Sequence, residues 1–364
     1  MDLIQVVPGL PPRIDGIGDY ALKLAHRLSD RHGIRTSFLV CNPQWQGPET
    51  VEGFRAQPLR SRTPHDFRLA LAAQQRPGAP LLVQFAVYRY QQRGFPFWLM
   101  DALAELRATS SRLIYTTFHE LEARSSKPWK STFWAWRIQK SLILRLARLS
   151  SFTYTNLEIH RQRLSRWGAE PPLLIPNFST LGEPETLPPF ARRKPQLIVF
   201  GRSVQRRLTY ELGADFILPL CQRLGIERIL DIGAPMPDAE LSDWQGIPII
   251  HTGILSEAEI QQHFATSLAS FQHYPVRALG KSSIYAVSCA FGTLPFVHTD
   301  TSDFHACSPL VPGEDFFPLY ALTDDLLQLP DSGDLAQRST HLFSRYQQRN
   351  TAAAADTIAA HILA

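Results

Sequence analysis

At 364 residues the chain exceeds the size at which a single hydrophobic core stops growing, about 250–300 residues, so two domains are expected. A hydrophobic content of 44% and a charged content of 19% describe a soluble globular protein, and a net charge of +4 is too small to imply binding to nucleic acid. No apolar run reaches the about 18 residues that a membrane span needs. The amino terminus carries Asp2 and enters a predicted strand at once, without the pattern of a signal peptide. A cytoplasmic location is therefore expected.

Segments with the patterns of strands and helices alternate along the first half of the chain, which predicts a parallel α/β sheet. The predicted strands span 2–7, 35–41, 80–86, 112–117, 152–155 and 172–176. The predicted helices lie near 17–32, 65–74, 95–108, 129–149 and 157–167. The stretch from Ser179 to Pro195 then holds four prolines and little apolar pattern, so we interpret 179–195 as a linker.

The alternation of strands and helices restarts after this linker. Strands are predicted at 197–200, 228–232, 248–251, 269–272 and 294–297, and helices at 208–224, 256–266 and 282–291. The end of the chain, about 334–364, is predicted to be helical with a break near Asn350. We therefore expect an α/β protein with two Rossmann-like lobes facing a cleft. The expected parts are a first lobe at 1–178, the linker at 179–195, a second lobe at 196–345, and a C-terminal helix at 346–364 that crosses back to the first lobe.

The loop after the first predicted strand carries a glycine pattern. Gly16 and Gly18 open a helix, and the free backbone N–H groups and the dipole of a helix N-terminus favour an anion. The spacing Gly16-x-Gly18-x-x-Ala21 also fits the fingerprint of nicotinamide dinucleotide binding. However, eight residues separate Val7 from Gly16, and no acidic residue ends the second strand. We therefore expect Gly16 and Gly18 to admit a phosphate-bearing sugar donor.

Two basic elements lie in the second half of the chain. Arg202 and Arg207 belong to a run of three arginines after strand 197–200, and guanidinium groups at the carboxyl end of a strand suit a diphosphate. Lys281, Ser282 and Ser283 open a helix, where a cation and free N–H groups can bind a phosphate. The alternatives are a solvated charge cluster for the first element and a plain helix N-cap for the second.

The predicted catalytic residues are His119 and Glu120, which end the fourth predicted strand. A histidine at that point can hydrogen-bond a sugar hydroxyl or stabilise developing charge, and a structural histidine is the alternative. Tyr88 and Tyr90 follow strand 80–86 and can stack on a sugar ring, which makes them candidate acceptor-binding residues. The alternative for these tyrosines is packing within the loop.

The segment Ala123–Arg148 holds seven basic residues, no acidic residue and three tryptophans. This composition is typical of an amphipathic helix that lies on an anionic bilayer, which would make the protein peripheral on the inner face of a membrane. A core stripe with a solvated basic face is the alternative.

Cysteine and histidine spacing bears on redox and metal chemistry. Cys41, Cys221, Cys289 and Cys307 form no C-x-x-C pair, which predicts buried reduced thiols. The histidines are not spaced as metal ligands and no Asp-x-Asp pair is present, so we expect neither a metal nor another cofactor.

Taken together, several segments resemble those of the retaining GT-B glycosyltransferases, a large family that moves sugars from nucleotide diphosphates. The resemblance extends over nearly the whole chain. The matching segments are Pro12–Ala21, Phe118–Glu120, Ile175–Phe178, Phe200–Arg202 with Arg207, Asp231–Gly233, His251–Gly253, Leu255–Glu257 and Ala290–Val297.

The resemblance implies a GT-B fold with a nucleotide-sugar donor site in the second lobe and an acceptor site in the first. Arg202 and Arg207 would bind the donor diphosphate with help from Lys281, and His119 would orient the transferred sugar. Transfer would proceed with retention and without a protein nucleophile, and closure of the lobes would exclude water. The implied acceptor is a glycan or a lipid-linked molecule, as in polysaccharide biosynthesis, and the nucleotide sugar is a substrate instead of a cofactor.

One departure from the family concerns two glutamates eight positions apart, which fall here on Leu279 and Val287. The second of these glutamates usually holds the donor ribose. A non-catalytic relative that binds a nucleotide sugar or a partner enzyme as a scaffold is therefore an alternative. A nucleotide-sugar epimerase on the same fold is another, although the acid and base carboxylates that it needs are not identifiable.

Overall fold

The computed structural model describes residues 1–12, 15–121, 131–236, 242–299, 309–320 and 334–364, without the side chains of 131–133. The chain divides into two compact units, of which the first comprises 1–176 with 351–364 and the second comprises 177–350. Each unit is built around one mainly parallel sheet with flanking helices. The expected α/β fold with two Rossmann-like lobes is confirmed.

The first unit contains an eight-stranded sheet. Its strands are β1 (Asp2–Val7), β2 (Arg35–Val40), β3 (Thr50–Val51), β4 (Phe54–Pro58), β5 (Leu81–Ala86), β6 (Ile114–Glu120), β7 (Phe152–Thr155) and β8 (Leu173–Leu174). Their order is β3-β4-β2-β1-β5-β6-β7-β8; the β3–β4 pair is antiparallel and the other pairs are parallel. The strand order reverses between β1 and β5, the kind of position at which open α/β sheets bind ligands.

Six α-helices of the described residues before the second unit flank this sheet. They are α1 (Gly16–His32), α2 (Pro64–Ala73), α3 (Val87–Tyr90), α4 (Phe97–Thr109), α5 (Ser131–Leu149) and α6 (Glu158–Arg166). Helix α1 begins where the Asp15 side chain accepts a hydrogen bond from the N–H of Ile17, and it ends at Gly33 in the left-handed conformation. The main core of the unit forms where Val83, Phe85 and Phe118 of the sheet are buried with residues of α4 and α5.

The second unit contains a seven-stranded sheet. Its strands are β9 (Lys194–Phe200), β10 (Arg228–Ile232), β11 (Asp243–Trp244), β12 (Ile247–Gly253), β13 (Ser267–His273), β14 (Leu294–His298) and β15 (Phe317–Leu319). The helices are α7 (Ser203–Leu212), α8 (Ala214–Leu224), α9 (Glu257–Thr266), α10 (Ser283–Ala290) and α11 (Leu335–Gln347). The strand order is β11-β12-β10-β9-β13-β14-β15, which reverses between β9 and β13. Both sheets therefore place their switch point beside the first long strand of the unit.

One arginine joins the ends of two helices in the second unit. Arg193 donates to the carbonyl of Ser267 at 2.7 Å, just after α9, and to that of Phe291 at 2.6 Å, just after α10. Because helix C-termini carry partial negative charge, the guanidinium stabilises both helices. Burial lowers the pKa of Arg193 to about 10.

The segment predicted as a linker is bonded to the second unit. The N–H of Ser179 donates to the hydroxyl oxygen of Tyr346 at 2.6 Å, and that hydroxyl donates to Glu183 at 2.6 Å. Just before it, the N–H of Asn177 donates to the carbonyl of Gly280 at 2.7 Å. The segment includes a 3₁₀ turn at Phe190–Arg192.

The last helix, α12 (Thr351–Leu363), belongs to the first unit. The Asp356 carboxylate accepts two hydrogen bonds from Arg31, each of 2.8 Å, and lies 2.8 Å from the ring nitrogen of His32. The hydroxyl of Tyr115 donates to the carbonyl of His361 at 2.7 Å. These bonds fix α12 against the C-terminal end of α1 and against β6.

Candidate functional site

The glycine loop of the first unit supplies its own anion. The buried Asp15 carboxylate accepts from the N–H of Ile17 at 3.1 Å and lies 2.5 Å from the Arg89 guanidinium. Arg89 belongs to α3, directly after β5, so this ion pair bridges the switch point between β1 and β5. A carboxylate therefore already uses an N–H group at the start of α1, where the sequence predicted room for a phosphate.

The two glycines of the loop differ in their surroundings. A Cβ added at Gly18 would lie 2.5 Å from the carbonyl oxygen of Gly9, so this glycine lets the loop pack against its own helix. A Cβ added at Gly16 would meet no atom of the described residues within 4 Å, and Gly16 is exposed. Gly16 is therefore the position that leaves room for a ligand, whereas Gly18 has a packing role. Arg13 and Ile14, part of the matching motif, lie outside the described residues.

His119 lies in a β-bulge at the end of β6. Phe118 pairs with Phe85 and Glu120 with Ala86, so His119 is the extra residue between two register positions. Its imidazole is buried, lies 2.9 Å from the side-chain oxygen of Gln84, and meets the ring of Tyr20 edge-on at 4.9 Å. Glu120 is exposed at the last position of the strand. The bulge gives these neighbouring residues different surroundings.

The two predicted acceptor-binding tyrosines have different roles. Tyr90 is fully buried, and its hydroxyl donates to the carbonyls of Val6 at 2.9 Å and Gln84 at 3.0 Å. The predicted acceptor contact at Tyr90 is therefore wrong, because this ring and its hydroxyl join β1 to β5 inside the core. Tyr88 is 37% exposed and accepts a hydrogen bond from Gln139 at 2.9 Å, so it can still contact an acceptor.

In the second unit, the three arginines after β9 lie in different surroundings. Arg202 is exposed at the N-cap position of α7, and Arg207 is partly buried on that helix. Arg206, in contrast, is fully buried and forms an ion pair with the buried Asp231. Its guanidinium also donates to the carbonyls of Gly201, at 3.0 Å, and Ala234. Arg206 thus fixes the ends of β9 and β10 and the loop that carries Arg202.

The start of α10 lies beside this arginine loop, because a Cβ added at Gly201 would be 2.9 Å from the side chain of Ile284. Ser282 is the N-cap: its buried hydroxyl accepts from the N–H of Tyr285 at 3.2 Å and donates to Gln272 at 3.2 Å. The N-cap interpretation of Ser282 is therefore confirmed, and these two bonds occupy its hydroxyl. Ser283 is exposed and Lys281 is partly exposed on the same turn.

Leu279 and Val287, the positions on which the sequence resemblance places two glutamates, are both fully buried among apolar residues. Both side chains therefore belong to the core of the second unit.

Histidines that the sequence analysis did not select lie at the strand ends of the second sheet. His273 and His298 end β13 and β14, and their Nδ1 atoms are 2.9 Å apart. On β12, Nδ1 of His251 lies 3.1 Å from the Asp231 carboxylate. The signal that could have found the first pair is that each histidine closes an apolar strand. All three side chains link neighbouring strands.

Among the described residues, no three His, Cys, Asp or Glu side chains come together as a metal site requires. Cys41, Cys221 and Cys289 are buried free thiols, as predicted, and Cys307 lies outside the described residues. Burial raises the pKa of Cys221 and of Cys289 to about 12, so neither forms a thiolate nucleophile near neutral pH.

The described part of the basic segment is helix α5. Trp134 is 69% exposed and Ile138 is 44% exposed, with Arg137 and Arg148 also exposed on this helix. Its other face buries Leu142, Ile143 and Leu146, whereas 122–130 lie outside the described residues. Across the part of the chain that the structure describes, no helix is long and apolar enough to cross a membrane.

No family model and no curated protein matches the sequence. Solved structures are similar in fold, among them HepE from Anabaena in complex with UDP-glucose (TM-score 0.63, 12% identity, 100% of this chain and 99% of that one). WaaG, a glycosyltransferase involved in lipopolysaccharide biosynthesis, has a TM-score of 0.58 and 10% identity over 99% of each chain. An alpha-glucosyltransferase in complex with UDP and a 13-mer DNA has a TM-score of 0.57 and 10% identity over 96% of each chain. At these identities the likeness shows the fold, which is GT-B.

Proposed function

We propose that this chain is a glycosyltransferase that moves a sugar, with retention, from a nucleotide diphosphate sugar to a glycan or lipid-linked acceptor. The observation that carries the proposal is the exposed guanidinium of Arg202 at the switch point of a GT-B sheet, beside the start of α10. A guanidinium next to a helix N-terminus suits a diphosphate, which leaves when the sugar is transferred.

The proposed chemistry consists of positioning the sugar and neutralising the leaving group. Arg202, Arg207 and Lys281 would balance the charge that develops on the diphosphate, with the N–H groups at the start of α10. Gly16 would leave room for the donor, and His119 would orient the transferred sugar. No protein nucleophile is needed in this mechanism, because the acceptor hydroxyl would attack from the face that the diphosphate leaves.

The donor can be tested without knowledge of the acceptor. HepE was solved with UDP-glucose and the alpha-glucosyltransferase with UDP, so UDP-sugars come first, followed by GDP-, ADP- and dTDP-sugars. A nucleotide sugar present at a free concentration of 100 times its Kd adds about 2.7 kcal/mol to the free energy of unfolding and so raises the melting temperature. The selected donor is then incubated with glycan and lipid-linked acceptors, and NMR of the product gives its anomeric configuration. An inverted product contradicts retention, and the absence of any melting shift contradicts the donor site.

A non-catalytic role as a nucleotide-sugar-binding scaffold is the second candidate, and the buried Leu279 and Val287 favour it. Under this alternative a nucleotide sugar raises the melting temperature, yet neither hydrolysis nor transfer follows with any acceptor. Transfer that depends on His119 decides against it.

We further propose that α5 brings the protein to an anionic membrane surface, where a lipid-linked acceptor would lie. Exposed aromatic and aliphatic side chains beside cations favour the interface of such a bilayer. Co-sedimentation with anionic vesicles should fall when Trp134 and Ile138 are both changed to serine. It should not fall for Phe97→Ser, since Phe97 is 50% exposed on α4 and serves as the control. Equal recovery of the parent protein with anionic and zwitterionic vesicles would contradict this proposal.

A further inference from the structure

Three buried polar side chains form a hydrogen-bonded row across the first sheet, from β1 through β5 to β6. Gln5 and Gln84 are fully buried and His119 is nearly so. The amide nitrogen of Gln5 donates to the carbonyl of Ala21 in α1 at 3.1 Å. The amide nitrogen of Gln84 donates to the side-chain oxygen of Gln5 at 2.7 Å, and the side-chain oxygen of Gln84 lies 2.9 Å from Nε2 of His119.

The chemistry of the first bond fixes the direction of the whole row. A backbone carbonyl can only accept, so Gln5 must turn its NH₂ group toward Ala21 and its oxygen toward Gln84. Gln84 must then turn its NH₂ group toward Gln5 and its oxygen toward His119. An amide oxygen also only accepts, and therefore Nε2 of His119 carries the proton. In the neutral imidazole, Nδ1 is then the acceptor nitrogen.

The surroundings keep this row in place. Both strands are tied at its centre, since the hydroxyl of Tyr90 donates to the carbonyls of Val6 and Gln84. The ring of Tyr20, the residue before Ala21, packs edge-on against the imidazole with an interplanar angle of 79°. Reversing either amide would place two acceptors or two donors against each other in a buried site, and the lost hydrogen bonds would cost free energy.

We infer that Gln5 and Gln84 are positioning residues that hold His119 in the Nε2–H tautomer. The substrate side of the inference rests on the proposed glycosyl transfer. In that reaction His119 accepts a hydrogen bond from a hydroxyl group of the transferred sugar through Nδ1 and does not donate one. Helix α1, which begins at the exposed Gly16, thereby also sets the proton position on the histidine.

The tautomer can be measured without any substrate. Two-bond ¹H–¹⁵N correlation spectra of the histidine-labelled protein distinguish the tautomers, and His119→Asn identifies the signals of His119. The parent protein should show the Nε2–H form. Gln84→Leu should give a mixture of tautomers, and Gln84→Glu, which has nearly the same size, should give the doubly protonated ring because a carboxylate stabilises imidazolium.

Gln74→Leu is the matched control, because Gln74 is also a buried glutamine that donates to a carbonyl, that of Phe38 at 3.1 Å, but lies outside the row. It should leave the spectrum of His119 unchanged. An Nδ1–H signal in the parent protein, or an unchanged ring in Gln84→Glu, overturns the inference. If Gln84→Leu does not fold, these two spectra still decide the question.

A kinetic arm connects the row to the proposed reaction. With the donor and acceptor identified, Gln84→Leu should lower kcat about tenfold, the value of one hydrogen bond, with little change in the KM for the acceptor. Gln74→Leu should keep the parent kcat. If the parent protein transfers no sugar, the proposed function fails, and the spectra still test the tautomer. If transfer occurs and the kcat of Gln84→Leu equals that of the parent protein, the positioning role fails.

Discussion

The two glycines at the start of α1 should respond in opposite ways to a single added methyl group. In Gly18→Ala the new Cβ would lie 2.5 Å from the carbonyl oxygen of Gly9 and 3.2 Å from the Cα of Leu10. Both contacts are to backbone, so the loop must move, at a cost of about 1–3 kcal/mol. The higher helix propensity of alanine offsets about 1 kcal/mol of this cost. We therefore expect a net loss of up to about 2 kcal/mol in the free energy of unfolding.

Gly16→Ala is the control for this prediction. Within the described part of the chain the added Cβ meets no atom within 4 Å, so the substitution should be neutral or stabilise the fold by up to about 1 kcal/mol. Urea denaturation of the two variants and the parent protein measures the difference. If Gly18→Ala is at least as stable as Gly16→Ala, the close packing of the loop on α1 is wrong. Gly16→Ala should also weaken donor binding, because it fills the room that we assign to the ligand.

Two further predictions concern buried charges of the second unit. Asp315→Asn should cost about 3–5 kcal/mol, because the carboxylate lies 2.7 Å from Arg345 and 3.0 Å from Arg349, and both cations would lose a partner. Burial raises the pKa of Asp315, but the hydrogen bond from Arg345 and the charge of Arg349 outweigh it and hold this pKa below its ordinary value. The stabilisation is therefore complete above pH values near the ordinary carboxyl pKa of about 4, and it is lost as the pH falls through the folded-state pKa. The free energies of unfolding of parent and variant, measured in urea, should therefore converge in acid. A difference between them that stays constant from pH 7 into acid would contradict this. Arg193→Met should cost about 2–3 kcal/mol in the same assay, because buried carbonyls after α9 and α10 lose their donor, and a variant as stable as the parent would show that water replaces the guanidinium.

The apolar runs of the sequence predict most of the fold, because buried parallel strands are continuous in Val, Ile and Leu. The exceptions have local causes. Strand β4 (Phe54–Pro58) lies near the sheet edge with only Ala56 fully buried, so it lacks an apolar pattern. The predicted helix 208–224 is two helices, α7 and α8, that meet at Gly213. A Cβ at Gly213 would lie 2.6 Å from the ring of Phe271, so a close approach to β13 sets this break.

The site could be predicted by position but not by burial. His119 lies at the carboxyl end of β6 and Arg202 follows β9, as expected, since the strands themselves were recognisable. Which arginine of the run is buried depends on Asp231, the partner of Arg206. Asp231 lies 25 residues further along the chain, so the sequence alone does not identify it as that partner. Helical spacing offers a signal, because Arg206 shares a face with the buried Tyr210.

The positioning glutamines also left a signal in the sequence. Gln5 and Gln84 each interrupt an apolar strand, and a buried amide needs hydrogen-bond partners. The sequence alone does not tell which partners those are, because they lie on different strands. The bulge at His119 likewise depends on the register between β5 and β6, which a single strand does not encode.

The most direct test of the central claim is the affinity of Arg202→Ala for the nucleoside diphosphate of the donor that the melting screen selects, measured by titration calorimetry. Arg192→Ala is the matched control, since Arg192 is also exposed but precedes the amino end of β9, roughly 20 Å of strand away. We predict that Arg202→Ala weakens diphosphate binding about tenfold or more, scarcely changes binding of the free nucleoside, and that Arg192→Ala binds as the parent does. His119→Ala should keep the diphosphate affinity, because its proposed partner is the sugar. Unchanged diphosphate binding in Arg202→Ala, Arg207→Ala and Lys281→Ala alike would contradict the account and place the donor site elsewhere.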